Sequence, residues 1–317
     1  MNLLVSMRYL VALDEHKHFA RAAQACFVTQ PALSNALRAL EEEFGSSIVK
    51  RGRTFVGFTP EGERLLESAR LMLREEQLLR QDLSSVGGQP QGRLGIGVVP
   101  SAEPVAARFA AMLQGRHPGI TPVVRSMSSQ EIEAGLEELT LDMGLGFIER
   151  VRPGVGGLQS LPQYTEHYFL VRKAAVPPDL QAPGMRFGPP MPWLEAATLP
   201  LCLMTSEMYN RHIVDGAFIE VGVKVRPVLE TNSLLTLALS AVGGAVCCVM
   251  PGALVGAVRA YRELEARPLN SPEVRTPIGF MVQTAERHSR PLEAALTLAQ
   301  DAAWLRHAAA YSGLLHA

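Results

Sequence analysis

Residues 19–44 read FARAAQACFVTQPALSNALRALEEEF, and this stretch decides how the N-terminal part of the chain folds. It predicts two short helices joined by a tight turn. In the second helix, apolar residues recur at spacings of three, four, seven and eleven, which places them on one helix face that must be buried. These residues are Leu33, Ala36, Leu37, Leu40 and Phe44.

The opposite face of the second helix is polar near its N-terminal end. Side chains of these lengths reach base edges or phosphates from a helix in a DNA groove, and a recognition helix makes its base contacts near its N-terminus. Thr29 is suited to be the N-cap, and small residues in the first helix permit the close crossing of a helix-turn-helix. On packing alone, an ordinary amphipathic helix pair in an all-α domain explains the pattern equally well. The candidate DNA-contacting residues are Gln30, Pro31, Ser34, Asn35 and Arg38.

Residues 48–58 read IVKRGRTFVGF and predict a β-hairpin whose tip carries Arg51 and Arg53. Beside a recognition helix, a basic tip favours a wing that inserts toward DNA phosphates. The alternative is a tip that is basic only for solubility. Arg51 and Arg53 are therefore added to the candidate DNA-contacting residues.

Residues 19–62 together, FARAAQACFVTQPALSNALRALEEEFGSSIVKRGRTFVGFTPEG, resemble the winged helix-turn-helix of the LysR-type transcriptional regulators. The resemblance continues over nearly the whole chain. It implies a regulator that binds double-stranded promoter DNA, with RNA polymerase as a further candidate partner. The family commonly has a basic residue where this chain has Asn35, directly after Ser34. The contact with the DNA backbone that this basic residue implies is therefore not expected at Asn35. An asparagine there is suited to pair with an adenine.

A long helix is predicted from Pro60 to about Val86, and it carries apolar residues seven apart. A heptad seam of this length favours pairing with the same helix of a second chain, although Glu76 interrupts it once. The alternative is a helix packed on its own chain, but the sequence offers no free apolar helix to cover it. The resemblance implies that this linker helix forms a homodimer, and it implies assembly into a tetramer. The seam consists of Leu65, Met72, Leu79 and Val86, flanked by Ala69 and Leu83.

The rest of the chain alternates predicted strands and helices. The βαβαβ order of residues 94–147 predicts a parallel sheet with helices on both faces. A second set follows at 167–250, including a strand at 225–230, and the chain returns through a strand at 276–284 and a last helix at 291–306. The resemblance implies a two-lobed effector domain shaped like a periplasmic binding protein. The predicted α/β architecture is a winged helix-turn-helix at 1–59, a linker helix and hinge at 60–91, and an effector-binding domain at 92–317, with lobe I at about 92–163 and 269–306 and lobe II at about 164–268.

Hydroxyl side chains follow three of the predicted strands. Ligands of such sheets bind outside the carboxyl ends of strands, where helix N-termini present free N–H groups. Taken one at a time, each hydroxyl is better explained as a helix N-cap. The family uses matching positions for effectors, which favours ligand contact for some of them, and the chemistry favours a small carboxylate or oxyanion. The candidates are Ser101, Ser128, Ser129, Thr205 and Ser206, with Phe147 as an apolar wall or a plain core residue.

Composition and motifs limit the other classes of function. The 317 residues carry a net charge of -1, although the first 60 hold seven Lys or Arg and five acidic residues. That basic surplus is weak support for a DNA-binding domain, and a dimer would double it. No nucleophile elbow, P-loop or zinc-protease motif is present, and Pro100 breaks a dinucleotide fingerprint. No enzymatic activity, cofactor or metal is therefore predicted.

The cysteines show neither a disulfide framework nor metal-ligand spacing. Inert buried thiols are more expected than a redox switch at Cys247 and Cys248, because no basic residue is near in sequence to lower their pKa. The apolar run at 3–13 fails as a secretory signal and is too short to cross a bilayer, so a cytoplasmic protein without a membrane partner is predicted. The alternative function is a cytoplasmic solute-binding or cysteine-based redox-sensing protein. The four cysteines are Cys26, Cys202, Cys247 and Cys248.

Overall fold

The structure is a computed structural model, and it divides the chain into two compact units. These units are Met1–Gly88 and Gln89–Ala317, and each is described by itself. The architecture mixes helices and sheets, as predicted. The described residues are 2–50, 52, 54–84, 89–150, 157–175, 184–285 and 287–310, without the side chains of residues 81, 82 and 84.

Four helices build the N-terminal unit: α1 (Leu3–His16), α2 (Phe19–Ala25), α3 (Gln30–Phe44) and α4 (Pro60–Ser84). The predicted cap of α3 is confirmed, because the Thr29 hydroxyl accepts a hydrogen bond from the Ala32 N–H at 3.4 Å. The apolar stripe of α3 is buried at Leu33, Leu37 and Leu40. The burial predicted for Phe44 is wrong, since this last residue of α3 is 46% exposed.

The wing, residues 48–58, is tied to both neighbouring helices. Val49 and Phe58 form an antiparallel bridge, and the Glu41 carboxylate of α3 accepts hydrogen bonds from the N–H groups of Ile48 at 2.8 Å and Val49 at 3.2 Å. On the α4 side, a Cβ at Gly62 would lie 2.2 Å from the Ile48 carbonyl oxygen. Only glycine fits this close approach. The predicted tip residues, Arg51 and Arg53, lie outside the described residues.

Helix α4 packs along α1 over its first half. Asp14 and Arg70 form an ion pair at 2.8 Å between the two helices, and Ala69 is fully buried. The expectation that no helix of the chain covers the seam is therefore wrong for its first part. Further along, the seam remains uncovered in the protomer. Its exposed part is Met72 (44%), Leu79 (54%) and Leu83 (78%), and Val86 lies outside the described residues.

The C-terminal unit contains two sheets and the remaining helices. In chain order the elements are β1 (Gly92–Val98), α5 (Glu103–Arg116), β2 (Ile120–Ser126), α6 (Ser129–Glu137), β3 (Met143–Phe147), β4 (Leu158–Glu166), β5 (Tyr168–Lys173), β6 (Arg186–Phe187), β7 (Met191–Pro192), α7 (Trp193–Ala196), β8 (Leu201–Met204), α8 (Tyr209–Glu220), β9 (Leu229–Thr231), α9 (Leu234–Val242), β10 (Cys247–Pro251), α10 (Gly252–Ala257), β11 (Leu264–Asn270), β12 (Thr276–Gln283), α11 (Arg290–Ala299) and α12 (Ala302–Ala309).

Each lobe is built on one sheet. The sheet of lobe I has the order β2-β1-β3-β12-β4, and that of lobe II has the order β6-β11-β5-β10-β8-β9, with β7 beside β11. The chain passes from lobe I to lobe II between β4 and β5, and it returns between β11 and β12. These two crossings leave a cleft between the lobes.

Three details of the predicted C-terminal unit are corrected. The first three strands pair in parallel, but β12 is antiparallel to β3 and β4, so the sheet of lobe I is mixed. The strand predicted at 225–230 is shorter and begins at Leu229. The last predicted helix is two helices, because Asp301 caps a new one by accepting hydrogen bonds from the N–H groups of Ala303 at 2.8 Å and Trp304 at 3.0 Å. In the described part of the chain, no helix has the length and apolarity needed to cross a membrane.

Candidate functional site

The polar end of α3 forms the first candidate site. Gln30, Pro31, Asn35 and Arg38 are exposed there, and Ser34 is half-buried. The Arg38 guanidinium donates a hydrogen bond to the Asn35 side-chain oxygen at 3.4 Å. The helix therefore offers both donors and acceptors to a partner lying across its N-terminal turns.

A groove of about 430 Å³ lies between α3 and the wing. It brings Ser34 and Arg38 together with Lys50, a residue that the sequence analysis did not select. The signal was present, because Lys50 begins the basic run that contains Arg51 and Arg53. Lysine and serine side chains at the border of a recognition helix are suited to contact the phosphates on either side of a major groove.

The second candidate site is the cleft between the lobes of the C-terminal unit. Its outer cavity has a volume of about 630 Å³ and is lined from both lobes. Ser128 and Ser129 belong to its wall, as predicted, whereas Thr205 and Ser206 are not among the described residues that line it. The lining consists of Pro100, Ser126, Met127, Ser128, Ser129, Gln130, Glu131, Arg150, Glu207, Met208, Tyr209, His212 and Asn232.

A smaller inner cavity of about 20 Å³ adjoins the outer one and is mostly apolar. Two predicted residues, Ser101 and Ser129, line it and are only 3% and 8% exposed. Neither hydroxyl has a hydrogen-bond partner among the described residues. An unpaired buried hydroxyl costs about 1–3 kcal/mol, so this pair is suited to hold a polar ligand group. The other lining residues are Val99, Pro100, Ser128, Phe147, Met204, Met208, Tyr209, Asn210 and Leu234.

Two of the three remaining predicted hydroxyls are bonded within the protein, and the third is exposed. Ser128 forms a capping box with Glu131: its hydroxyl accepts from the Glu131 N–H at 3.3 Å, and the Glu131 carboxylate accepts from the Ser128 N–H at 2.7 Å. The Thr205 hydroxyl donates to the Glu207 carboxylate at 2.6 Å, which lowers the pKa of Glu207. Ser206 is exposed. The two buried serines are therefore better placed for a ligand than these three residues.

Tyr209 joins the two lobes, although no pattern in the sequence predicted this role. It is the first residue of α8 in lobe II, yet its ring centroid lies 4.9 Å from that of Phe147 in lobe I. The Arg150 guanidinium carbon, also in lobe I, lies 4.9 Å from the Tyr209 ring centroid. Phe147 is 2% exposed and also lines the inner cavity, so it is both a core residue and an apolar wall.

Charges of both signs line the outer cavity. Arg150 makes two hydrogen bonds to the Glu133 carboxylate, at 2.6 and 3.1 Å, so its charge is balanced inside lobe I. Glu131 and Glu207 lie in the same wall as Arg150 and His212. Any preference for an anion must therefore come from hydroxyl and N–H donors more than from net positive charge.

The thiols of the C-terminal unit are three: Cys202, Cys247 and Cys248. Cys202 and Cys248 face each other on the paired strands β8 and β10, and both are fully buried. Their mutual hydrogen bond raises the pKa of the Cys248 thiol and lowers that of Cys202, and burial raises the pKa of Cys247. None of the described residues lining the two cavities is a cysteine. Across the described ranges, no three His, Cys, Asp or Glu residues are grouped to hold a metal ion.

Two family models match the chain. The model described as "Bacterial regulatory helix-turn-helix protein, lysR family" matches residues 4–63, and the model described as "LysR substrate binding domain" matches residues 87–304. Together they cover both units of the structure.

Relatives of named function match over a shorter stretch. The "DNA-binding transcriptional dual regulator OxyR" of Escherichia coli K12 is 36% identical over 137 residues, which are 43% of this chain and 45% of that protein. The "Hydrogen peroxide-inducible genes activator" of Pectobacterium carotovorum is 36% identical over 140 residues, 44% of this chain and 46% of that protein. The chain thus spans about half the length of these relatives.

Solved structures resemble the chain over nearly its full length. A full-length OxyR variant from Pseudomonas aeruginosa has a TM-score of 0.66 at 22% identity, covering 94% of this chain and 97% of that one. CbnR, a LysR family transcriptional regulator, has a TM-score of 0.61 at 18% identity, covering 96% of this chain and 99% of that one. At these identities the similarity shows the fold alone.

Proposed function

Since the chain belongs to the LysR family of bacterial regulatory proteins, we propose that it is a sequence-specific DNA-binding transcriptional regulator controlled by a small anion. The observation that carries this proposal is that two buried serine hydroxyls in the cleft have no hydrogen-bond partner. The same chain contains a helix-turn-helix. The regulator acts as a homodimer, held by the exposed stripe of α4. Its ligand binds between the lobes of the C-terminal unit.

DNA recognition by α3 is tested with Gln30→Ala and Ser34→Ala. Each change is expected to weaken binding to the specific site by about 1–3 kcal/mol, or roughly 5- to 150-fold, because a base contact is lost. Binding to random DNA of equal length should change little. A gel-shift titration with the DNA upstream of the gene supplies the specific site, and Gln77→Ala on α4 is the matched control.

Lys50→Ala gives the opposite signature in the same experiment. If Lys50 contacts phosphate, its loss weakens binding to all DNA sequences alike. It also reduces the slope of the logarithm of affinity against the logarithm of salt concentration by about one. Equal losses on specific and random DNA for Gln30→Ala and Ser34→Ala would contradict the assignment of α3 as the recognition helix.

The anion proposal rests on donors that the cleft leaves unused. Ser101 and Ser129 supply two buried hydroxyls. The capping box uses the Glu131 N–H, so α6 adds only the backbone N–H groups of its first two residues, which have no partner inside the helix. Such donors hold a carboxylate or oxyanion without a full counter-charge. A purely apolar ligand would leave both hydroxyls unpaired, at about 1–3 kcal/mol each.

Ser101→Ala is expected to diminish the stabilisation that a small anion gives. Sodium formate, acetate, sulfate and phosphate are compared with sodium chloride at equal ionic strength, and the Tm of the full chain is measured. A ligand present at a hundred times its Kd adds about 2.7 kcal/mol, which raises Tm by several degrees. Ser160→Ala, an exposed serine of β4, is the control. No shift with any anion, beside a large shift with neutral benzyl alcohol, would contradict the anion proposal and leave the DNA-binding proposal intact.

A peroxide response, which the name of the Pectobacterium carotovorum relative suggests, is less well supported in this chain. Peroxides react with a thiolate, so a sensing cysteine needs access and a low pKa. Cys202 and Cys248 are fully buried, and burial raises the pKa of Cys26 and Cys247. The cysteine-based alternative therefore lacks the accessible, reactive thiol that it requires among the residues described.

A further inference from the structure

Tyr209 lies at the boundary between the outer and inner cavities. It lines both of them, together with Ser129. The outer cavity has about 630 Å³ and the inner one about 20 Å³. The inner cavity therefore has room for about one water molecule. A carboxylate cannot occupy that space while the surrounding side chains keep their positions.

The walls of the inner cavity differ in how firmly they are held. Phe147 is 2% exposed and packed in the core of lobe I, so it cannot withdraw without opening that core. Tyr209 is only half-buried, and it reaches across from lobe II. Its ring packs against the Phe147 ring, with the two planes inclined at 58°, and against the Arg150 guanidinium. Single aromatic and cation–π contacts are weak compared with the burial of a whole core side chain, so the ring moves more readily than the core.

The backbone beneath Tyr209 is fixed. The Asn210 side chain donates to the Tyr168 hydroxyl at 3.4 Å. The buried Arg211 guanidinium donates to the Met204 carbonyl at 2.7 Å and to the Glu230 carboxylate at 2.6 Å. These bonds hold the first turn of α8 in place, so the Tyr209 ring can leave Phe147 by rotation of its side chain while the backbone stays where it is.

We infer that Tyr209 determines the size of effector that the cleft admits, by covering the inner cavity and its two serine hydroxyls. An acid larger than water reaches Ser101 and Ser129 only when the ring leaves Phe147. The class of effector that fits is an organic acid with a flat apolar group, because its carboxylate pairs with the hydroxyls while its apolar part replaces the displaced ring. This inference rests on the proposed effector cleft and deepens it.

The test replaces the ring and then fills the space with two probes of similar shape. Tyr209→Ala removes the cover, whereas Tyr209→Phe keeps it and is the matched control. The probes are benzoate, which carries a carboxylate, and p-cresol, which has the shape of the tyrosine side chain but no carboxylate. Binding to the full chain is measured without DNA, by calorimetry and by the rise in Tm.

Benzoate is expected to bind Tyr209→Ala at least tenfold more tightly than it binds the wild type or Tyr209→Phe. Adding Ser101→Ala to Tyr209→Ala should weaken benzoate binding by about tenfold and leave p-cresol binding unchanged. The reason is that only the carboxylate of benzoate pairs with the Ser101 hydroxyl. Far-ultraviolet circular dichroism checks that each variant is folded, and Tyr209→Ser replaces Tyr209→Ala if the latter is not.

Two results would overturn the inference. One is equal benzoate affinity in the wild type and Tyr209→Ala, since the ring would then cover nothing. The other is a Tyr209→Phe variant that behaves like Tyr209→Ala, since the hydroxyl and not the ring would then matter. Neither result depends on DNA binding. A chain that passes this test but fails the gel shift would refute the proposed regulator while keeping the ligand site.

Discussion

Replacing Leu79 with aspartate is expected to dissociate the homodimer. Leu79 is 54% exposed in the protomer and lies on one stripe of α4 with Met72 and Leu83. In a paired helix these side chains face the partner, as heptad positions do. An aspartate there places an unpaired charge in a buried seam, which costs several kcal/mol unless the charge escapes to water.

Sedimentation of the full chain measures the result directly. The Leu79→Asp variant should sediment at half the mass of the wild type or misassemble. Its affinity for the specific DNA site should fall by about a hundredfold or more, because two linked half-site contacts become independent. Gln77→Asp adds the same charge at an exposed position on another face of α4, and it should remain dimeric. A dimeric Leu79→Asp variant with normal DNA affinity would refute the seam.

Glu76 explains why the seam tolerates one charge. Its carboxylate accepts a hydrogen bond from Arg8 of α1 at 3.1 Å and another from Arg80 on the next turn of α4. Both hydrogen bonds lower the pKa of Glu76, so the group stays ionised with its partners in the same protomer. An aspartate at position 79 is shorter and has no such arrangement prepared for it, which is why the two positions are expected to differ.

The N-terminal unit was predictable because its signals are local. The period of Leu33, Leu37 and Leu40 marks a buried helix face within one stretch of chain. Thr29 and Thr59 each directly precede the first residue of a helix, as N-cap residues do. The burial of Ala69 was not predictable in this way. It depends on α1 packing against α4, a contact between residues more than fifty positions apart.

The sheet of lobe I shows the same limit. Strand β4 was missed because it lies at the edge of its sheet, so its residues are mixed in burial and it contains Pro162. Only its antiparallel pairing with β12, more than a hundred residues later, identifies it. The break between α11 and α12 could have been found, because Asp301 directly precedes an apolar run and is a preferred N-cap type.

Some features of the effector cleft likewise follow from local sequence, and others depend on long-range packing. Ser128 is followed three residues later by Glu131, the signature of a capping box, so its structural role was readable from sequence. The meeting of Tyr209 with Phe147 and Arg150 was not, because it joins two lobes across some sixty residues of chain. The unpaired state of Ser101 and Ser129 is also a property of three-dimensional packing.

The stability of the chain is expected to fall as pH rises from about 4.3 to about 8, because of Glu166 at the crossing between the lobes. This residue ends β4, is fully buried, and accepts hydrogen bonds from the Ala253 N–H at 3.1 Å and the Tyr164 hydroxyl at 3.3 Å. Burial raises the pKa of Glu166 to about 8, although these hydrogen bonds oppose the rise. With that pKa, the carboxyl is expected to be protonated in the folded chain at neutral pH.

The sign of the pH dependence follows from proton binding. Below about pH 4.3, the usual pKa of a glutamate, both folded and unfolded chains hold the proton. Between that pH and about 8 the unfolded chain releases it while the folded chain keeps it, so the free energy of unfolding decreases as pH rises. At 1.36 kcal/mol per pH unit, the full loss is of order 5 kcal/mol.

Comparison with Glu166→Gln isolates this contribution. The amide has nearly the same shape, keeps an oxygen for the Ala253 N–H, and carries no charge at any pH. Denaturant unfolding of both proteins from pH 4.5 to pH 8.5 should show the wild type losing several kcal/mol relative to the variant. The pH dependence of His167, whose pKa burial lowers, is present in both proteins and cancels in the difference. Glu293→Gln, at an exposed glutamate of α11, should show no such divergence.

The difference in the free energy of unfolding between the wild type and Glu166→Gln could instead stay constant with pH. That result would mean that Glu166 is ionised inside the folded chain. The donors around it, the Ala253 N–H and the Tyr164 hydroxyl, would then outweigh the cost of burial. Tyr164→Phe separates the two cases. If Glu166 is ionised, loss of the Tyr164 hydroxyl removes a charge-assisted hydrogen bond and raises the pKa of Glu166. A pH dependence of the free energy of unfolding that is absent from the wild type would then appear. If Glu166 is already protonated in the folded chain, the same change raises its pKa further. The pH range over which the free energy of unfolding decreases then extends to higher pH.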